Sequence, residues 1–203
     1  MNAMQAAPKQ RVSEAEYLDQ ERRSSERHEL LNGEIFAMAG ASYLHVKIVG
    51  NLARSLGNRL QGRPCDVLPV DLRVCVSATG LYTYPDLSIV CGGPEFHPGS
   101  PDTILNPSVI FEVLSDSTEA YDRGAKFEHY QRLPSLREYL LVAQDQRSIA
   151  RYERVEGGSW RYTLFTGDAV VPLPAVEIDL PLAEVYAKIE FNPDASTRAP
   201  AAS

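Results

Sequence analysis

Residues 109–114 read Val-Ile-Phe-Glu-Val-Leu, and this run constrains the fold more than any other stretch of the chain. A short apolar segment of this kind, bounded by turn-forming residues, is the pattern of a central strand buried on both faces. Asp86–Val90 is a second such run. Inside the first sits Glu112. An ionised carboxylate buried without a partner is costly, so a glutamate there needs a metal, a cation or a strong hydrogen-bond network.

The rest of the chain supplies what such strands pack against. Ser13 with Glu16 resembles a capping box and predicts a helix from Glu14 to about Ser24. The Asn32-Gly33 pair between apolar segments predicts a hairpin of Glu29–Leu31 with Glu34–Met38. Leu44, Ile48, Leu52, Leu56 and Leu60 recur at every fourth position and mark an amphipathic helix from Tyr43 to Leu60. Alternation from Val70 to Val76 predicts a half-buried strand. Thr118–Leu133 has helical composition and stops at Pro134, and Glu138–Ala143 forms a strand after it, a strand–helix–strand crossover. Arg151–Val155 and Trp160–Phe165, around Gly157-Gly158, read as a terminal hairpin. The fold class expected is α/β (α+β), a mixed β-sheet flanked by helices with an N-terminal helix and hairpin.

The chain has 203 residues, enough for a real core in one domain, here expected over residues 12–191 with disordered tails at 1–11 and 192–203. No apolar run is long enough to cross a bilayer, and the first residues lack the apolar section of a secretory signal. Cys65, Cys75 and Cys91 are an odd count without CxxC spacing. That argues against a disulfide framework or zinc knuckle and suits a reducing cytoplasm. With 27 Asp+Glu against 20 Lys+Arg, the net charge is -7. Wrapping nucleic acid over a broad surface would need the opposite sign, although a carboxylate-bound cation supplies local positive charge that a residue count omits.

Asp86 opens its strand directly after Pro85, and with Glu112 on a neighbouring strand the two carboxylates could converge at one sheet edge. Two carboxylates at one point are a hard-oxygen site suited to Mg²⁺ or Mn²⁺. Asp122, Lys126 and Tyr130 share a helix face at four-residue steps, and the short connection from Glu112 brings that helix back beside its strand. Lys126 can therefore reach the carboxylates and orient a nucleophile or stabilise charge on a phosphoryl oxygen. Tyr130 reads as a packing residue, and His97 and His129 as surface residues.

Tyr84-Pro85-Asp86, then Phe111-Glu112-Val113-Leu114-Ser115, then Lys126 with Tyr130 resemble the PD-(D/E)XK, restriction-endonuclease-like superfamily. The chain is most similar to its bacterial putative restriction endonuclease family of unknown function, whose upstream pattern resembles His28-Glu29-Leu30-Leu31-Asn32-Gly33-Glu34 followed by His45. The superfamily lysine usually falls two residues after the acidic residue, where this chain has Leu114. The resemblance implies that the helix supplies it instead, as Lys126. It further implies that Asp86, Glu112 and the Val113 carbonyl hold Mg²⁺ (or Mn²⁺), with Glu29 and His45 completing the shell around metal and phosphate. The implied activity is metal-dependent endonucleolytic hydrolysis of nucleic acid, DNA foremost. A homodimer would be expected if both strands are cut. Two rivals remain open: the same fold kept as a catalytically weak module binding nucleic acid or protein, and a phosphoesterase acting on small nucleotides. Any sequence preference would come from loops such as Gly92–Asn106, read as a flexible surface segment.

Overall fold

The computed structural model describes residues 11–38 and 40–191. The tails expected at 1–11 and 192–203 lie, Arg11 apart, outside the described residues. The architecture is α+β, with two large sheets packed face to face, helices on their outer sides and a short helical segment packed into the core they share.

The first sheet begins with β1 (His28–Leu31) and β2 (Glu34–Ala37), and continues through β4 (Arg73–Val76) and β5 (Leu81–Thr83) to β7 (Phe96–His97) and β8 (Ser100–Ile104). Its spatial order is β2-β1-β5-β4-β8-β7. The second sheet contains β3 (Cys65–Pro69), β6 (Leu87–Cys91), β9 (Val109–Val113), β10 (Glu138–Val142), β11 (Ser148–Arg154) and β12 (Trp160–Thr166), in the order β12-β11-β10-β9-β6-β3. β9 and β10 pair in parallel; β6 and β11 flank them antiparallel. The helices are α1 (Glu14–Arg23), α2 (Tyr43–Leu60), α3 (Glu119–Arg123), α4 (Ala125–Tyr130) and α5 (Leu182–Val185), and a small hairpin joins β13 (Val170–Leu173) to β14 (Ile178–Pro181).

The period-two alternation of β9 assigns its side chains to two cores. Val109, Phe111 and Val113 face the α2 stripe, where Ile48, Leu52 and Leu56 are fully buried against β13, β14 and α5. Each such side chain stabilises the fold by roughly 1.5–3 kcal/mol. Ile110 and Leu114 face the other way, into a core shared with Val74, Val76 and Leu81 of the first sheet and Phe127 and Tyr130 of α4. Glu112 has the parity of Ile110 and Leu114, so its carboxylate lies between the sheets. α1, started by a full capping box at Ser13 and Glu16, covers the far side of the first sheet through Tyr17 and Leu18.

Several expectations need correction. The strand predicted from Val70 begins only at Arg73, because Val70 (φ 24°) and Asp71 (φ 67°) turn the chain through the left-handed region. β4 is fully buried rather than half-buried, since the first sheet packs on both faces. The helix predicted over Thr118–Leu133 is two short helices, broken where Gly124 adopts φ −111°, ψ −103°. Gly92–Asn106 is no mere loop: it carries β7 and β8. The hairpin read as terminal is followed by β13, β14 and α5. Cys65 and Cys91, expected as free thiols, form a disulfide, because the antiparallel register of β3 and β6 sets them directly opposite. Cys75 alone is a free, buried thiol. His97 is half-buried, between the Tyr82 hydroxyl and the Glu14 carboxylate. By contrast, α2 spans the predicted Tyr43–Leu60, and Asn32 (φ 52°) and Gly33 (φ 79°) make the expected tight turn. Among the described residues, no helix is long and apolar enough to cross a membrane.

Candidate active site

The site lies at the C-terminal end of β9, where both sheets and three helices meet, in a cavity of about 910 Å³. Its hub is the ammonium of Lys126, a buried residue of α4. Lys126 Nζ is 2.9 Å from Glu112 Oε1 on β9, 3.4 Å from Glu29 Oε1 on β1 and 3.5 Å from Asp122 Oδ1 on α3. Three carboxylates from three directions thus hold one cation. Lys126 stays protonated well above the ordinary lysine range, because the carboxylates, Glu112 foremost, outweigh the opposing cost of burial.

Two of the carboxylates are fixed by a further contact. The Tyr130 hydroxyl donates to Glu112 Oε1 at 2.9 Å, so Tyr130 does more than pack. The Thr83 hydroxyl donates to Glu29 Oε1 from the neighbouring strand β5. Burial pushes the Glu112 carboxyl up, Lys126 pulls it down, and the charges of Asp122 and Asp86 push it up again. Burial likewise raises Asp122 against the pull of Lys126. Three carboxylates share one lysine, and burial keeps two of them, Glu112 and Asp122, raised even so.

Asp86 forms the second part of the site. It stands just before β6, beside the end of β9. The Val113 backbone N–H donates to Asp86 Oδ2 at 2.7 Å, and His45 Nε2 lies 2.7 Å from Asp86 Oδ1. His45 comes from the first turn of α2, whose N-cap Ser42 accepts from the His45 backbone N–H. The histidine therefore holds Asp86 in place from the helical side of the sheet. Gln144 closes the arrangement after β10: its amide donates to the Leu114 carbonyl at 2.6 Å and its Oε1 accepts from Ser42 Oγ at 2.8 Å.

The residues singled out from the sequence, Glu29, His45, Asp86, Glu112, Val113 and Lys126, all line this one cavity. Asp122 entered the sequence reading only as a neighbour on the helix face, and Gln144 not at all. Asp122 carried a usable signal in its four-residue spacing from Lys126. The signal at Gln144 was a polar residue just past the C-terminal end of a central parallel strand, where α/β sheets place ligands.

The donor chemistry of Asp86 and Glu112 fits a hard divalent cation, which needs few protein oxygens and keeps several waters. Among the described residues, no group of three or more histidine, cysteine or acidic side chains is gathered into a ready metal shell.

Fold and site together define a chain of the restriction-endonuclease-like class. It belongs to the Uma2 family, described as "Putative restriction endonuclease", whose model matches residues 14–183. Two Synechocystis proteins are similar to it over most of its length. The uncharacterized protein slr1290 is 34% identical over 186 residues, covering 92% of this chain and 97% of its own length. The uncharacterized protein sll1609 is 34% identical over 157 residues, covering 77% and 89%. The fold is also that of a crystal structure from Anabaena variabilis described as a putative nuclease belonging to DUF820. That match has a TM-score of 0.67 at 17% identity, over 83% of this chain and 96% of the other.

Proposed function

We propose that the chain hydrolyses phosphodiester bonds of nucleic acid with the help of a divalent cation, Mg²⁺ or Mn²⁺. The observation that carries this reading is the surplus of carboxylate over cation in one cavity. Glu29, Asp86, Glu112 and Asp122 line the same cavity, and Glu112 and Asp122 are held above their ordinary protonation range. A buried surplus of this kind is relieved by a bound cation.

Asp86, Glu112 and the Val113 carbonyl would hold the ion, which supplies charge stabilisation at a phosphoryl oxygen and an acidified water. His45 and the Val113 N–H keep the Asp86 carboxylate oriented. Lys126 presents its N–H groups to the attacking water or to a phosphate oxygen, and Glu29 and Asp122 hold the ammonium at that position. Cleavage of both strands of a duplex would call for two copies of the site, hence a homodimer.

Incubating wild type and Glu112→Gln with labelled single-stranded and duplex DNA and RNA, with Mg²⁺, Mn²⁺ or chelator, tests the proposal. Metal-dependent cleavage by wild type alone is expected. Cleavage that survives Glu112→Gln, or none with any substrate, overturns it.

One feature favours a non-catalytic module instead: Lys126 already sits among three of the carboxylates as their counter-ion. A melting temperature unmoved by Mn²⁺ would support that alternative, since a ligand of the native state stabilises it by mass action.

A further inference from the structure

The mouth of the cavity carries an unusual concentration of bare apolar surface. Nine large apolar side chains are exposed among the described residues, and four of them, Phe36, Met38, Val46 and Val70, line this one cavity. Tyr43 stands three residues before Val46 on the same face of α2 and is 76% exposed. Phe36 is the register partner of Glu29 in the β1–β2 hairpin. Directly opposed residues share a face, so an exposed aromatic ring sits beside a site carboxylate. Val70 is held at φ 24°, a costly conformation for a β-branched residue, with its side chain half exposed at the same rim.

The charges of the cavity point the same way. Seven carboxylate side chains line it against two fixed cations, Lys126 and Arg123. Lys126 is enclosed by carboxylates, and Arg123 Nε is paired with Glu119 Oε1 at 2.7 Å. Among the described residues, no free basic side chain lines the cavity to grip a phosphate backbone, so binding that depends on phosphate neutralisation has little to work with here. Aromatic and apolar contact with base faces does not need that charge, and it requires bases released from a duplex stack.

We infer that the rim formed by Phe36, Met38, Tyr43, Val46 and Val70 is a platform for unpaired nucleobases, so that the substrate is single-stranded or locally unpaired nucleic acid rather than regular duplex. The inference rests on the proposed nuclease reading. It narrows the substrate class, and a single copy of the site suffices for a single strand.

The test measures binding and cleavage separately on the full chain. Fluorescence anisotropy would follow a roughly 20-nucleotide mixed-sequence single strand and a hairpin duplex of the same sequence, across a salt series, with wild type, Phe36→Ala and Tyr43→Ala. Both substitutions are at exposed positions, and circular dichroism would verify folding. Expected are single-strand binding at least about tenfold tighter than duplex and a shallow salt dependence. Each aromatic truncation should weaken single-strand binding by roughly 5- to 100-fold. Duplex bound as well as single strand, or unchanged binding by both variants, overturns the inference. If duplex is both bound and cut in preference, the nuclease reading stands and the inference falls. Rim-dependent single-strand binding without metal-dependent cleavage sustains the inference and removes the hydrolytic reading. Sedimentation velocity covers the remaining occupant: a wild-type dimer that both rim variants dissociate, with nucleic-acid binding unchanged, would assign the rim to a second copy and overturn the inference.

Discussion

Lys126 Nζ meets Glu112 Oε1 at 2.9 Å, although the lysine comes from a helix and the glutamate from the strand before it. Leu114 occupies the strand position where a lysine two residues after the glutamate would stand, and its side chain is buried between the sheets. The break at Gly124 turns α4 so that Lys126, Phe127 and Tyr130 all enter the interior, which brings the ammonium to the carboxylates from outside the strand.

Breaking that pair should be severe. Lys126→Met leaves Glu112, Glu29 and Asp122 without their shared cation and is expected to cost about 3–5 kcal/mol in urea unfolding. Combining it with Glu112→Gln should recover part of that loss, because one uncompensated buried charge is removed. A double variant no more stable than Lys126→Met alone would count against the ion-pair hub.

His45 should act through Asp86. Replacing His45 with Ala leaves the carboxylate free to rotate, and Mn²⁺ affinity by calorimetry is expected to fall roughly 10- to 100-fold, the usual range for a residue that orients a metal ligand. Asp86→Asn should lower it further. Equal affinity in wild type and His45→Ala would remove the positioning role.

Glu138 should give the stability a pH slope away from the site. Its carboxyl is buried in β10, and burial lifts its pKa to about 7 against the pull of the Ala175 N–H and of Arg151. The folded state then holds a proton that the unfolded chain releases near the ordinary glutamate value. This contribution is therefore present at low pH and is lost as pH rises from about 4.5 to 7, by about 3 kcal/mol. Glu138→Gln should flatten the slope. The check is the difference in melting temperature between wild type and variant across this window; a difference independent of pH would exclude the effect.

The Cys65–Cys91 disulfide, with a sequence separation of 26, closes a loop that contains Asp86. A cross-link of that span contributes about 3 kcal/mol. Cys91→Ser should lower the melting temperature of non-reduced protein and have little effect under reductant. Thiol titration of unfolded, non-reduced wild type should find Cys75 alone. Three reactive thiols would show the pair open.

Local pattern alone determined much of this protein. The four-residue stripe of α2, the Asn32-Gly33 turn and the capping box at Ser13 each rest on interactions or spacing within a few residues, and the apolar runs of β6 and β9 announced buried strands by composition. The mid-strand glutamate and the helix face of Asp122, Lys126 and Tyr130 were legible for the same reason, as polar groups where burial would otherwise be unfavourable.

Only the tertiary structure decided the rest. The division into two sheets depends on pairings between distant strands such as β4 with β8, and a short strand like β7 has no periodicity long enough to announce itself. The cysteine pair follows from the register of β3 on β6, which no count of residues contains. Glu29 and Glu112 face one ammonium because the first sheet packs on the second, and Gln144 ties β9 to α2 because the end of β9 and the start of α2 lie at the same edge. These contacts arise from packing between segments far apart in the chain, so the chemistry of each residue was visible in the sequence while its partners were not.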